Sequence, residues 1–340
     1  MEPVDCLDVF CHCLPPALCK AVKKKRARKV PMMFERASAI PALVDLETRF
    51  RVMDQFPGYR QVPSLASPPL EALAPPKGAI TLAGLANDAL AAMVEAHRDR
   101  FPGFVAGLPL SHPEGALAEA ERAVQQLGAL GVQLYTNVLG KPIDAPEYLP
   151  LFELMASLER PIWLHPIRSM RSPDYRAEAY SRFEIWWSLG WPYETGVMML
   201  RLAMGGLFQR WPRLRIITHH LGGLIPMMEG RLSSGMELLG SRTPVGLEEW
   251  ARTSLQEPVV DALRRFYADT ASFGSRSAIE CGAAFFGIDH LLFATDMPFD
   301  PEQGPRYIQD TLQAISQMCI PNAEREAILI GNARALLKVK

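Results

Sequence analysis

The stretch Pro161-Ile162-Trp163-Leu164-His165 is a short apolar run that stops on a histidine. A strand with one face in water would alternate apolar and polar residues. This one does not, so it belongs to a sheet covered on both faces, as parallel sheets under helices are. Leu291-Leu292-Phe293-Ala294-Thr295-Asp296 repeats the form, with a carboxylate following the apolar run. Working outward, β-like runs fall at 4–10, 59–65, 103–108, 132–136, 161–165, 214–219, 266–270 and 291–295. Helical spacing fills the intervals. Residues 83–99 place Leu85, Ala89, Ala92, Met93 and Ala96 three or four apart, and 113–130 opens on Pro113-Glu114 and stops before Gly131. Further helical stretches are 146–158, 194–210, 226–239, 275–286, 305–318 and 323–337. Eight such alternations predict an α/β protein, and a closed (β/α)8 TIM-like barrel rather than an open doubly wound sheet. No Gly-rich phosphate loop follows the first run, which weighs against a dinucleotide-binding fold.

The chain has 340 residues, 49% hydrophobic and 21% charged, with 36 Lys+Arg against 37 Asp+Glu for a net charge of −1. That balance excludes a disordered chain and offers no bulk electrostatic case for nucleic acid. The length suits a single barrel domain over 1–340 with insertions after strands 1 and 5, at about 15–43 and 168–192. Both follow the C-terminal ends of strands, where a barrel builds its active site. The second carries Tyr175, Tyr180, Phe183, Trp186 and Trp187. There is no export-signal pattern at the N-terminus and no run of about 18 apolar residues. A cytoplasmic protein with no membrane span is therefore expected. Six cysteines do not make a disulfide scaffold, and Cys6, Cys11, Cys13 and Cys19 in the first twenty residues read as reduced thiols or metal ligands. The run Lys23-Lys24-Lys25-Arg26-Ala27-Arg28-Lys29 would suggest a nucleic-acid patch in isolation. On a barrel loop it reads as a solvated insertion able to draw in an anionic substrate.

The candidate chemistry sits at strand ends. On an unbroken first strand Asp8, Phe10 and His12 share one face and Cys11 and Cys13 the other, which would put His12 at the barrel mouth. No second Cys pair follows at the spacing of a structural zinc finger. His165 ends strand 5, and Asp296 follows strand 8. His219-His220 ends strand 6, where alternation lets only one imidazole reach the centre. The Gly222-Gly223 pair after it permits close approach of backbone or substrate. Two histidines and one carboxylate make a catalytic zinc set with a position open for water, and a further histidine can act as acid or base. His97, His112 and His290 have no such context and read as surface or helix-cap residues. Trp186, Trp187 and Trp191 either wall a planar ligand or belong to the core.

In order, Asp8-Val9-Phe10-Cys11-His12-Cys13-Leu14-Pro15-Pro16, Pro161-Ile162-Trp163-Leu164-His165-Pro166, Gly190-Trp191-Pro192-Tyr193-Glu194-Thr195, Thr218-His219-His220-Leu221-Gly222-Gly223 through Pro226 to Gly230-Arg231, and Phe293-Ala294-Thr295-Asp296-Met297-Pro298 resemble the amidohydrolase superfamily. The resemblance is to its decarboxylase-like branch, typified by aminocarboxymuconate semialdehyde decarboxylase. It implies one divalent metal, usually zinc and sometimes manganese, held by a His-x-His pair on strand 1, a His after strand 5 and an Asp after strand 8. His12, His165 and Asp296 match the last three of these. The family's catalytic histidine matches His220 rather than His219, and its substrate-carboxylate arginine, which crosses a two-fold interface, matches Arg231. One departure stands out: Phe10 occupies the first His-x-His position, and phenylalanine cannot bind a metal. Three ligands suffice, or Cys11 or Cys13 turns inward, or the metal is lost. The expected activity is metal-dependent non-oxidative decarboxylation of an aromatic or unsaturated carboxylic acid, with His220 and Asp296 handling the proton and Trp191 and Arg231 contacting a small carboxylate substrate in a homodimer. The same atoms allow hydrolysis of a lactone, an amide or a carbon–carbon bond, and loss of the metal would leave a binding protein.

Overall fold

The computed structural model describes residues 4–24 and 30–339. Eight parallel strands run through it: β1 (Cys6–Cys13), β2 (Tyr59–Leu65), β3 (Val105–Gly107), β4 (Gly131–Tyr135), β5 (Ile162–His165), β6 (Ile216–Thr218), β7 (Tyr267–Asp269) and β8 (Leu291–Leu292). Strands β3 to β8 form one sheet in sequential order, and β1 pairs with β2. Backbone hydrogen bonds join β1 to the chain leaving β8: Val9 N to Phe293 O (3.0 Å), Asp296 N to Phe10 O (3.1 Å) and His12 N to Met297 O (2.9 Å). With β2 against β3, the ring closes. This is the barrel that the apolar runs predict.

The barrel is filled by Leu7, Val9 and Phe10 from β1, Val62, Val105, Trp163, Ile217 and Leu292 from other strands, and Leu337 from the last helix. Trp163 is fully buried, and it explains a glycine: a Cβ on Gly131 would lie 2.6 Å from the indole and 2.1 Å from Pro161 O. The simple alternation expected of β1 is corrected here. The β1–β2 register slips between Asp8 and Cys11, so β1 carries one extra residue. Such a bulge puts neighbours on the same side. Val9 and Phe10 both pack in the interior, Cys6, Cys11 and Cys13 face the outer layer, and Asp8 turns to the seam between strands. The indole Nε1 of Trp163 donates to Val9 O at 2.7 Å, satisfying a carbonyl at the bulge.

Asp8 is fully buried and spans three segments. Its Oδ1 accepts from Phe10 N (3.1 Å) and Thr295 N (3.3 Å), and its Oδ2 accepts from Tyr59 OH (2.5 Å) and Thr295 Oγ1 (2.5 Å). The polar chain continues outward. Gln61 Nε2 donates to Tyr59 OH, while Gln61 Oε1 accepts from buried Arg49, whose Nη1 also donates to His12 O at 2.7 Å.

Helices surround the barrel. Pro76–Ala96 is long and apolar enough, by length and composition, to cross a membrane. Here its Ala79, Leu82, Ala83, Ala86 and Leu90 are buried, and Asn87 bonds both the N–H and the C=O of Gly107 at 2.9 Å. Segment 15–43, expected as a loop, contains helices Pro16–Lys24, Met32–Ala37 and Pro41–Val44. Residues 25–29 of the basic run lie outside the described residues. Segment 226–239, expected as one helix, is broken into short turns with non-helical backbone at Met228 and Ser233, where Gly230, Ser234 and Gly235 favour interruption.

Two consequences can be measured. Thr295 Oγ1 already accepts from Met297 N and Tyr59 OH from Gln61, so both hydroxyl protons are committed to Asp8. In Asp8→Asn one amide must face two donors, and urea unfolding at pH 7 should show a loss of about 3 kcal/mol. A loss below about 0.5 kcal/mol would mean that the clamp is idle. Glu71 is buried, its carboxylate oxygens have no hydrogen-bond partner, and burial pushes its pKa from 4.5 up to about 7. Folding therefore favours its protonated form. That contribution is full below pH 4.5 and is lost as pH rises through 7. Glu71→Gln should match wild type at low pH and exceed it above pH 7 by up to about 3 kcal/mol.

Candidate metal and proton-transfer site

The C-terminal ends of β1, β5, β6 and β8 bring His12, His165, His219, His220 and Asp296 together. His12 is fully buried. Ser64 Oγ donates to Cys11 O and so accepts at 3.0 Å from His12 Nδ1, which leaves the Nε2 lone pair inward. His165 Nδ1 donates to Pro166 O at 2.6 Å. Asp296 Oδ1 lies 3.1 Å from His12 Nε2 and 3.5 Å from His219 Nε2, while Oδ2 lies 3.7 Å from His220 Nε2.

Asp296 adopts a left-handed backbone, φ 63°, which costs a non-glycine residue on the order of 1–2 kcal/mol. The bonds from Asp296 N to Phe10 O and from His12 N to Met297 O hold it there. The expectation that only one of His219 and His220 reaches the centre is corrected. β6 ends at Thr218, His219 is still extended, and His220 turns left-handed at φ 53°, so strand alternation no longer applies.

Charge at the site follows from burial and neighbours. Burial alone would raise Asp296, but the imidazoles of His12, His219 and His220 gathered around it hold its carboxyl well below the usual range. Burial and the surrounding imidazoles push His165 well below its ordinary value, and burial and His219 lower His220. Burial pulls His219 down, yet Asp269 and Asp296 outweigh it and raise it to about 9.

The donor set fits a single divalent cation. One ligand atom from each of His12, His165 and His219 lies within 4.8 Å of the others, and the same holds for His219, His220 and Asp296. The Nε2 atoms of His12 and His219 are buried without a hydrogen-bond partner. Native proteins rarely leave such atoms unsatisfied unless an ion or water completes them. Cys11 and Cys13 take no part: they are buried in the outer core, and desolvation pushes both thiols up.

Above this cluster opens a cavity of about 550 Å³, a volume typical of small-molecule sites. Both insertions border it, the first through Met32, Met33, Arg36, Ala37 and Ile40, the second through Met170, Glu184, Trp186, Trp187 and Trp191. The three tryptophans thus wall the cavity. Trp191 Nε1 donates to Arg168 O at 3.1 Å, and its ring stands edge-on to His165 at 5.5 Å. Gly223 keeps that wall close, since a Cβ there would sit 2.1 Å from Pro192 O. Opposite, Phe273 stacks on Tyr307 at 4.5 Å and meets His220 edge-on at 5.8 Å. Arg231 is exposed on the turn Glu229–Leu232 and is not among the cavity-lining residues of its own chain.

Sequence reasoning passed over two groups here. Asp269 ends β7 inside an apolar run, the same signal that flagged Asp296. Among the described residues Arg36 is the arginine of the cavity wall, and it pairs at 3.8 Å with Glu184, with nothing in its local sequence to mark it. His112 Nδ1 caps a helix by accepting from Gly115 N at 3.1 Å, and His290 Nδ1 bonds a backbone carbonyl at 2.8 Å, so both are structural.

Gamma-resorcylate decarboxylase of a Polaromonas species is 31% identical to this chain, over 87% of it and 89% of the relative. The 2-amino-3-carboxymuconate-6-semialdehyde decarboxylase of Dictyostelium discoideum is 28% identical, over 78% of this chain and 68% of its own. The crystal structure of a Polaromonas dihydroxybenzoic acid decarboxylase with bound manganese and the inhibitor 2-nitroresorcinol matches with a TM-score of 0.78 at 25% identity, covering 99% of this chain and 97% of that one. The amidohydrolase family model matches residues 42–339. Barrel, strand-end donors and family match agree, and the chain belongs to the amidohydrolase family.

Proposed function

We propose that the protein is a metal-dependent non-oxidative decarboxylase, a carboxy-lyase, acting on an aromatic or unsaturated carboxylic acid of the dihydroxybenzoate kind. The observation that carries this reading is the two-sided position of Asp296. One oxygen faces the donor cluster, and the other faces His220 under an aromatic-walled cavity.

In this reading His12, His165 and Asp296 hold one divalent ion. Zinc suits a mixed imidazole–carboxylate set, and manganese, present in the Polaromonas relative, is the second choice. Such an ion supplies Lewis-acid polarisation of the substrate oxygen beside the leaving carboxylate, which lowers the cost of negative charge on the ring. The bond from ring carbon to carboxylate breaks, carbon dioxide leaves, and the same carbon takes up a proton. No oxidant or reductant enters. His220 and Asp296 hold that proton, facing each other at 3.7 Å on the substrate side. Trp191 and the Phe273–Tyr307 stack confine a planar ring and exclude water. The buried cysteines Cys6, Cys11, Cys13 and Cys19 are free thiols, which suits a reducing cytoplasm.

A homodimer belongs to the same proposal. Over residues 227–250, the stretch that contains Arg231, the chain exposes Met227, Leu238, Val245 and Trp250, apolar side chains suited to burial against a second copy. Arg231 of one copy would then serve the cavity of the other.

The direct test is carbon dioxide release from hydroxybenzoates and muconate-type acids. Metal-loaded protein should release it from at least one 2,6-dihydroxybenzoate-like acid, and chelation should abolish turnover. Hydrolysis of lactones or amides with no decarboxylation across the panel would overturn the reading. His220→Ala should keep its metal and lose about 100- to 10,000-fold in kcat. For the dimer, His220→Ala and Arg231→Ala should each be nearly inactive. Refolded together at random, they should regain about a quarter of wild-type activity, because half the dimers are mixed and each has one intact site. No recovery in proven mixed dimers would exclude a shared site.

A further inference from the structure

We propose that His219 supplies the metal ligand that Phe10 cannot, so that a ligand has moved from β1 to β6 across the barrel mouth. The inference rests on the metal-centre reading above and adds a ligand to it. Three observations carry it. The first is spatial. Phe10 stacks on His219 with centroids 3.8 Å apart at 21°, and His12 and His165 stand 5.6 and 5.9 Å from the same phenyl ring. Phe10 is thus the floor of the cluster, and the His219 ring lies over the position where a β1 ligand would project.

The second is orientation. His219 Nδ1 donates to the carboxylate of Asp269, which is fully buried and is itself fixed by His220 N and Ala271 N, both at 3.0 Å on Oδ1. A carboxylate on Nδ1 fixes the ring and aims Nε2 at the centre, where a bound cation would take the place of its proton, the outer arrangement that metal-bound imidazoles carry. Ser64 does this for His12 and Pro166 O for His165. The third is satisfaction. His219 Nε2 is fully buried with no hydrogen-bond partner, 3.5 Å from Asp296 Oδ1 and in one 4.8 Å cluster with His12 and His165. A histidine that served only to position His220 would need no Nε2 aimed into the donor cluster.

The test reads metal binding rather than turnover. X-ray absorption of the zinc-loaded wild type should count three imidazoles. His219→Ala should count two and bind zinc or cobalt more than about 100-fold more weakly, beyond the cost of losing an outer partner. Asp269→Asn should weaken binding by about 10- to 100-fold. Adding Phe10→His to His219→Ala should restore affinity by returning the ligand to β1. Circular dichroism checks the fold of each variant. If His219→Ala does not fold, the wild-type imidazole count decides alone. A wild type that binds metal through two imidazoles, or a folded His219→Ala with unchanged affinity while His165→Ala loses it, overturns the moved ligand and leaves the metal reading intact. A wild type that takes up no zinc, cobalt or manganese overturns both.

Discussion

The carboxylate of Asp8 has no water around it and four donors pointed at it. Burying such a group costs several kcal/mol, and here hydrogen bonds from β1, from Tyr59 on β2 and from Thr295 after β8 offset that cost. The place of this clamp matters more than its net strength. It holds the seam where the first and last strands meet, two residues before Phe10, four before His12 and immediately beside the segment that carries Asp296. A barrel that slipped by one residue there would move His12 away from Asp296 Oδ1 and leave Phe10 outside the floor of the cluster. The β1 bulge is the local solution: it keeps Val9 and Phe10 inside while freeing Asp8 for the seam.

A second buried carboxylate repeats the logic one strand pair away. Asp269 on β7 binds the imidazole of His219 and the backbone N–H of His220 at once. Through one side chain it orients one histidine and fixes the turn that presents the next. The two histidines then divide the two oxygens of Asp296 between them. In the proposed function, proton handling and cation binding would thus be coupled through a single carboxylate rather than placed in separate pockets.

Most of the barrel was legible because its strands are buried on both faces. Tyr59–Leu65 falls where its β-like run begins and ends, and Ile162–His165 ends on the histidine that its apolar run points to. The errors came where local rules give way to long-range ones. Alternation along β1 fails at a bulge set by pairing with β2. The inside–outside choice at His219-His220 fails because the chain leaves the strand at Thr218 and turns left-handed. The 226–239 segment has apolar helical spacing but also Gly and Ser at its middle, where the helix breaks. Asp269 obeyed the same strand-end rule as Asp296. Its role shows only in space, since the imidazole it orients lies fifty positions earlier on a different strand.

The cavity's charge follows from these placements. Its wall offers the guanidinium of Arg36, largely exposed and shared with Glu184 at 3.8 Å, and an exposed pair of that kind contributes little. The imidazoles His165 and His220 are held toward their neutral forms, and Asp296 is ionised. His219, raised to about 9, is protonated beside that carboxylate, so the bare floor holds no surplus positive charge for an anionic substrate. A divalent cation on the same donors outweighs the one carboxylate and turns the floor positive, inside apolar walls that focus the field. On these side chains, cation binding and recognition of a carboxylate substrate are one requirement. In the proposed function the aromatic walls would select for shape and the centre for charge.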